Sequence, residues 1–282
     1  MAELFYDVTY PVRRELHRRY IRQCLDDFAA NANVIQFTSA EFTGPQHFVE
    51  FWLDTVAEWE RKNVGDSRRL DSGEKFRVRN PVIALSATKD VQDAILADRK
   101  RAAVVDVVDF RYWWRTAKGE FAPPGGKNLA PRQFERQWRG GRPTDTDLAT
   151  MASEYRAKSP GKPVICDFDS ASWAWLCAGG SQPRLPSTTD AQLLLAIPRM
   201  LPWKSDVGLR QWVLRQTGKQ MLAYCGGRAE LDLSAENGVF SCTLVDRQTG
   251  QLKSPRQNVR GGGKVRLPID NSEASVVWLR KE

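Results

Sequence analysis

The residues of this chain best placed to do chemistry are carboxylates at the ends of short apolar runs. The run Asn33-Val34-Ile35-Gln36-Phe37 continues through Thr38-Ser39-Ala40 to Glu41 and closes in the turn Phe42-Thr43-Gly44-Pro45. Its length and punctuation predict a buried strand that delivers Glu41 to its exit, with helix resuming at His47. Val49, Phe51, Trp52, Val56 and Trp59 recur at helical spacing, so the stretch is one strand–loop–helix unit of a parallel α/β fold. Such folds place their chemistry at the carboxyl ends of the strands. The run from Ala103 to Phe110 carries Asp109 near its end, and Pro163 to Asp169 puts Asp167 and Asp169 on one face by strand alternation. Carboxylates at such ends can give or take a proton from a bound group. The competing role for Glu41 is a capping or loop carboxylate near Thr43, and for Asp167 and Asp169 a cap on the next helix.

Several elements must position these groups. Tyr10-Pro11 opens a first helix, with Leu16, Tyr20, Ile21, Leu25 and Phe28 as its apolar stripe down to Ala30. After a polar connection from Arg61 to Asn80, Pro81 to Lys89 reads as a strand and Val91 to Ala97 as a helix. The Asp109 strand exits into Arg111-Tyr112-Trp113-Trp114 and then into a long loop through Ala122-Pro123-Pro124-Gly125-Gly126-Lys127. Leu148 to Arg156 reads as helix. Ala171 to Cys177 carries Trp173 and Trp175, and Ala191 to Leu201 is helical with Pro198 interrupting it. Beyond Arg215 short runs at 220–225, 229–233, 239–245, 264–268 and 274–279 are separated by Gly-rich turns, which predicts a small antiparallel β domain.

Composition excludes some classes. With 282 residues the chain can hold one large α/β domain, or a domain plus a small appendage. Apolar residues make up 41% and charged residues 27%, and no apolar run approaches the roughly 18–20 residues of a membrane helix, so no membrane association is expected. Lys and Arg number 42 against 34 Asp and Glu, a net charge of +8. The basic pairs, such as Arg13-Arg14 and Arg68-Arg69, are scattered, which favours a solvated surface over a nucleic-acid stripe. Five cysteines show neither CxxC pairing nor metal-ligand spacing and read as buried thiols. The only histidines are His17 and His47, which argues against a His-rich zinc site and leaves a Ser/His/Asp triad dependent on one of them. Neither Gly125-Gly126-Lys127 nor Gly261-Gly262-Gly263-Lys264 has phosphate-loop spacing. The opening Met1-Ala2-Glu3-Leu4 lacks a basic-then-apolar signal sequence.

Taken together, Asn33-Val34-Ile35-Gln36, Ala40-Glu41-Phe42-Thr43-Gly44-Pro45, Phe51-Trp52-Leu53-Asp54, Ala87-Thr88-Lys89-Asp90-Val91-Gln92-Asp93, the Asp109-to-Trp113 exit, Asn128-Leu129-Ala130-Pro131-Arg132 and Ala178-Gly179-Gly180-Ser181 resemble the C-terminal half of a bacterial glycoside-hydrolase-like family. These are barrel enzymes of the retaining-glycosidase clan type with an appended β-sandwich. The resemblance covers nearly the whole chain. It implies an α/β fold, a partial (β/α) TIM-type barrel over residues 1–215 followed by a small antiparallel β-sandwich over 216–282. It implies hydrolysis of glycosidic bonds in polysaccharides or oligosaccharides, with no cofactor and no metal, at an extracellular or periplasmic location.

Glycoside hydrolysis takes two carboxyl groups, one a proton donor to the leaving oxygen and one a nucleophile or base. By the resemblance Glu41 matches the acid/base at the end of the fourth barrel strand, and Asp167 or Asp169 falls at the seventh-strand position, where the usual Glu is absent. Asp109 is a further possibility. Lys89 and Arg111 are expected to bind substrate hydroxyl or carboxylate groups, with a salt bridge as the plainer role, and Tyr112, Trp113, Trp114 and Trp173 to stack on sugar rings. The opening βα units of the barrel have no counterpart, and a full barrel needs about 200 residues or more besides its long loops. An incomplete barrel, or a gene fragment, is therefore expected, its open sheet edges covered by oligomerisation or a partner chain. The alternative reading is a catalytically incomplete barrel fragment that binds carbohydrate or serves assembly.

Overall fold

The structure, a computed structural model, describes residues 2–38, 44–110, 143–227, 230–267 and 274–282. Glu41, Arg111, Tyr112, Trp113 and Trp114 lie outside the described residues. The chain divides into two compact units, Met1–Arg142 with Gly161–Ile165, and Pro143–Pro160 with Cys166–Glu282.

In the first unit, α1 (Ala2–Tyr6) and α2 (Pro11–Asp27) precede β1 (Ile35–Phe37), α3 (Gln46–Asn63), the hairpin β2 (Ser67–Arg69) and β3 (Lys75–Arg77), β4 (Val82–Ser86), α4 (Lys89–Ala97), α5 (Arg99–Ala102) and β5 (Val107–Phe110). The fourth strand, β6, is Val164–Cys166. The sheet order is β1-β4-β5-β6. β1 and β4 are parallel, as are β4 and β5, with Phe37 opposite Ala84 and Ser86 opposite Asp109.

Pro11 sits in the first turn of α2, where its missing N–H costs nothing. α3 buries Phe48 and, spaced by three or four residues, Val49, Leu53, Val56 and Trp59, and these pack with Ile21 and Leu25 of α2 against Ile83, Leu85, Ala87 and Val105. Both Val91 and Ile95 of α4 join the same core. The indole N–H of Trp59 donates to Asp26 at 3.0 Å, so the buried ring keeps its hydrogen bond. Successive strand residues face opposite sides, and the other face of the sheet gathers Phe37, Val82, Ala84, Val107 and Ile165, all from strands. The connection after Arg61 folds into the β2–β3 hairpin, whose turn contains Gly73 at φ +83°. Its strands, Ser-Arg-Arg and Lys-Phe-Arg, carry almost no apolar alternation, which is why the sequence reads as a plain connection.

Both histidines are structural. The ring of His17 bonds to the Phe5 carbonyl at 2.9 Å and that of His47 to the Tyr6 carbonyl at 3.0 Å, and Phe5, Tyr6, His17 and Phe48 form an edge-to-face aromatic cluster.

The second unit begins with α6 (Asp145–Lys158), which is closed by a capping box in which Thr144 and Asp147 each accept the other's backbone N–H. α7 (Trp173–Cys177) and α8 (Ala191–Ala196) lead into β7 (Leu201–Asp206), β8 (Gln211–Gln216), β9 (Gln220–Cys225), β10 (Glu230–Asp232), β11 (Val239–Val245), β12 (Leu252–Arg260), β13 (Lys264–Arg266) and β14 (Ser275–Lys281). Six strands form one sheet in the order β12-β11-β14-β9-β8-β7, and β10 pairs with β13. Antiparallel registers run through β7, β8, β9, β14, β11 and β12. The sheet thus starts at Leu201, upstream of the expected boundary at 216, because β7 and β8 pair into it. Val213, Met221, Ala223, Phe240, Val277 and Leu279 face one core with Leu231 and Leu267, whereas the alternate residues Trp212, Tyr224 and Trp278 are buried on the other side. The layer over the first core holds the two-stranded β10–β13 pair, and α7 packs near β8 and β9. Arg215 and Glu236 form a buried ion pair, and the Arg215 guanidinium lies 4.3 Å from the centre of the Trp203 ring.

Leu53 of α3 is wholly buried in the core that α2, α3, α4 and the sheet share. Leu53→Ala is expected to destabilise the first unit by about 2–5 kcal/mol, the usual cost of an unfilled core cavity. Hydrogen exchange of the β4 amides reads that loss locally; unchanged protection would show that α3 does not support the sheet.

Candidate functional site

The carboxyl ends of β1, β4 and β5 bring polar groups into an otherwise apolar sheet. Val82, Ala84 and Val107 lie on the face that, among the described residues, strand residues fill, so Ser86 and Asp109, which continue the same alternation, share it. Ser86 is 2% exposed and Asp109 1% exposed. A carboxylate so far from water is rare unless it is bonded or functional. Asp109 is thus a buried carboxylate at the carboxyl end of a parallel strand.

Thr38 continues β1 beyond its last paired residue. Its N–H donates to the Ala84 carbonyl at 2.9 Å, while its hydroxyl accepts the Ser86 N–H at 3.1 Å and lies 3.4 Å from the Ser86 carbonyl. The exits of β1 and β4 are thereby tied together just before the segment that contains Glu41. The turn after β4 holds two more buried polar residues, Thr88 and Gln92, each 0% exposed. Lys89, expected to meet substrate, forms an ion pair with Asp93 at 2.8 Å, one turn along α4.

Asp167 and Asp169 follow β6, whose paired residues stop at Cys166, so strand alternation no longer orients them. They are brought together instead by Arg184. Its guanidinium meets Asp167 at 3.2 Å and Asp169 at 3.1 Å, and it also donates to the Asp167 carbonyl at 3.2 Å. The two carboxylates are 65% and 86% exposed, so these are surface ion pairs worth about 0–1 kcal/mol each. Trp173 corrects an expectation. It is 1% exposed within α7 and its indole N–H donates to the Arg247 carbonyl at 3.0 Å, which leaves no ring face for a sugar. The apolar stretch Trp173–Cys177 buries every residue, and a wholly apolar run signals core more strongly than a binding platform. Of the five cysteines, expected to be buried, Cys177, Cys225 and Cys242 are, whereas Cys24 and Cys166 are partly exposed, and burial pushes the Cys242 thiol up to about 11. Among the described residues no cluster of His, Cys, Asp and Glu is arranged to hold a metal ion. No described helix is long and apolar enough to cross a membrane.

One perturbed acid escaped the sequence reading. Glu60, in the last turn of α3, has its carboxyl pushed up to about 7, first by burial and then by the carboxylate of Asp106. Asp106 sits at the amino end of β5, where it accepts the Ile83 N–H at 2.9 Å. The pair therefore lies at the end of the strands opposite Asp109. Its helical spacing gave no signal, since Glu60 reads as an ordinary polar-face residue.

Comparison with solved structures places this architecture. A structure described as "Glycoside hydrolase" matches with a TM-score of 0.53 at 12% identity, over 95% of this chain and 69% of that one. A glycoside hydrolase family 5 protein from Bacteroides vulgatus ATCC 8482 matches with a TM-score of 0.54 at 12% identity, over 94% of this chain and 66% of that one. The fold is thus a mixed α/β fold of the glycoside-hydrolase type, and the chain spans about two thirds of the length of these neighbours. The family model described as "Domain of unknown function (DUF6298)" matches residues 1–200, and the chain belongs to that family. No curated protein matches the sequence.

The raised Glu60 acid gives a pH dependence with a definite sign. Its folded pKa lies above the ordinary 4.5, so its contribution to stability is present below about 4.5 and is lost as pH rises through 7. Glu60→Gln should flatten the fall in stability across that window and leave the protein more stable than wild type above pH 7. The shift bounds the gain at about 3 kcal/mol, and solvent screening lowers it. Urea titrations at pH 5 and pH 8 provide the comparison; equal pH slopes in both proteins would refute the assignment.

Proposed function

We propose that this chain is the catalytic part of a glycoside hydrolase, cleaving glycosidic bonds of polysaccharides or oligosaccharides by carboxylate acid/base chemistry within a TIM-type (β/α) barrel. The observation that carries the reading is Asp109, a buried carboxylate at the carboxyl end of a parallel strand, on the face packed by strand residues. Glu41, shortly after β1 in sequence, acts as the proton donor to the leaving oxygen. Asp109 serves as the second carboxyl group, as nucleophile or base. Asp167 and Asp169 are the alternatives for that second role by their position after β6, but their exposure and shared Arg184 partner weigh against them. Lys89, Arg111, Tyr112 and Trp113 are assigned to substrate contact, and Trp173 is not.

Proton transfer by a positioned carboxyl group contributes about 10²–10⁴-fold to rate. Asp109→Asn and Glu41→Gln should each lower kcat by that factor on aryl glycosides or oligosaccharides, with circular dichroism unchanged. Wild type inactive across the whole panel, while well folded, would sink the catalytic reading.

A second reading, an assembly module, is favoured by the outer side of α2 and by the edge position of β1. Val12 is 59% exposed, Leu16 58% and Tyr20 70%, at a spacing of four that places them in one stripe, and Ile35 in the edge strand is 38% exposed. Under this reading a second copy of the chain covers that stripe. Light scattering should then report a dimer that Leu16→Glu converts to monomer, whereas a wild-type monomer at about 100 μM, near the weak end of specific association, would exclude it.

A further inference from the structure

Half of the chain's net charge sits in one connection. Between Arg61 and Arg79 there are seven Lys and Arg against three Asp and Glu, a balance of +4 within a total of +8. The register of the β2–β3 ribbon sorts these residues by face. Arg68 stands opposite Phe76, and side chains opposite each other across a ladder share a face. That face is spent on structure: Phe76 packs against the helix-side core, and the Arg68 guanidinium meets Asp26 at 2.7 Å and lies 5.9 Å from the centre of the Trp59 ring. The other face carries Ser67, Arg69, Lys75 and Arg77, all exposed. Arg69 stands directly opposite Lys75, and like charges so placed weaken a two-stranded ladder. Among the described residues the Arg69 guanidinium donates to the Gly73 carbonyl alone, at 3.2 Å, and neither Lys75 nor Arg77 has a carboxylate partner. Asp66 precedes the ribbon and Asp71 and Glu74 lie in its turn, and none of the three pairs with these cations.

We propose that the exposed face of the β2–β3 ribbon is a docking surface for an acidic polysaccharide, whose uronate carboxylates are held by Arg69, Lys75 and Arg77. The choice of a carbohydrate rests on the glycosidase reading; the choice of an anionic one rests on the ribbon itself. Facing side chains across a ladder lie about 5 Å apart and same-face neighbours along a strand about 7 Å apart, so the three cations form one compact patch. A guanidinium binds a planar carboxylate through two parallel hydrogen bonds, and the Lys75 ammonium adds a point charge beside the two arginines. A nucleic acid fits less well. Single strands are held by aromatic side chains interleaved with the cations, and the aromatic ring of the ribbon strands, Phe76, is turned to the core. Position separates this surface from the chemistry. The ribbon joins the end of α3 to the start of β4, at the amino end of the sheet, whereas Asp109 lies at the carboxyl end. It holds the polymer and takes no part in bond cleavage.

The test is titration calorimetry of the intact chain with octagalacturonate at about 50 mM salt, where screening of exposed pairs is modest. Malto-octaose supplies the neutral counterpart and a short DNA duplex the rival polyanion. The variant Arg69→Gln/Lys75→Gln/Arg77→Gln removes three exposed charges from the ribbon, and Arg260→Gln/Lys264→Gln/Arg266→Gln removes three exposed charges from the second unit. The ribbon variant is expected to bind octagalacturonate about 10–100-fold more weakly at an undiminished unfolding temperature, each exposed ion pair being worth about 2–5-fold. Lys75→Gln alone, with a loss of about 2–5-fold, serves if the triple variant does not fold. The second-unit variant should bind as wild type does, and malto-octaose should not respond to the ribbon charges. Equal losses in both triple variants assign binding to net charge and overturn the surface. Tighter binding of the duplex than of octagalacturonate overturns it too, as does a wild type that binds no octagalacturonate. Turnover of neutral aryl glycosides judges the glycosidase reading separately and should be equal in wild type and ribbon variant. Its absence from both, with ribbon-dependent binding intact, removes that reading and leaves the docking surface standing.

Discussion

Burial of a parallel sheet on both faces is the constraint from which the rest of the first unit follows. Strands β4 and β5 are almost entirely buried, and a parallel ladder of this kind persists only when each face is covered. Helices α2, α3 and α4 cover one side through Leu25, Leu53, Val56, Val91 and Ile95. On the other side Phe37, Val82, Ala84, Val107 and Ile165 form a second cluster. Among the described residues that cluster draws on strand residues alone. Polar groups can enter it only at an end, where the ladder stops, and there Ser86, Thr88 and Asp109 are found.

This geometry separates two kinds of acid. Asp109 is sequestered at the carboxyl end, where groups from several strands converge. Glu60 and Asp106 sit at the amino end, where burial and then the Asp106 carboxylate raise the Glu60 pKa. The perturbed titration marks one end of the sheet, and the register and burial of Asp109 mark the other. Asp167 and Asp169 are a third kind, exposed carboxylates that share the single Arg184 guanidinium at the surface.

The second unit solves its burial problem by strict alternation. Along β9, Met221, Ala223 and Cys225 enter one core while Leu222 and Tyr224 enter the other, and β14 repeats the pattern with Val277 and Leu279 against Val276 and Trp278. An antiparallel sheet apolar on both faces needs cover on both, which is supplied by the β10–β13 pair with its Leu231 and Leu267 and by the apolar helix α7. The close approach of Gly180 to the Trp175 ring, where a Cβ would collide with the indole, shows how tightly that helix end is packed.

Local pattern determined a good part of this protein by itself. The apolar run ending near Asp109 and the stripe from Val49 to Trp59 announced β5 and α3, because periodicity reports which face is buried whatever the partner. The Gly-rich punctuation after Arg215 announced antiparallel strands, and the resemblance to glycoside hydrolases agrees with the fold. What local pattern could not carry was pairing. The strands Ser67–Arg69 and Lys75–Arg77 are too polar to alternate, and Leu201–Asp206 joins its sheet only through hydrogen bonds to β8, which no periodicity encodes. The sequence likewise offered Trp173 as a sugar platform, and tertiary packing placed it in the core. That the Thr88 hydroxyl and Gln92 Nε2 find no partner among the described residues was decided by tertiary structure alone, since whether a polar atom is paired depends on neighbours distant in the chain, and sequence records only that the atom exists.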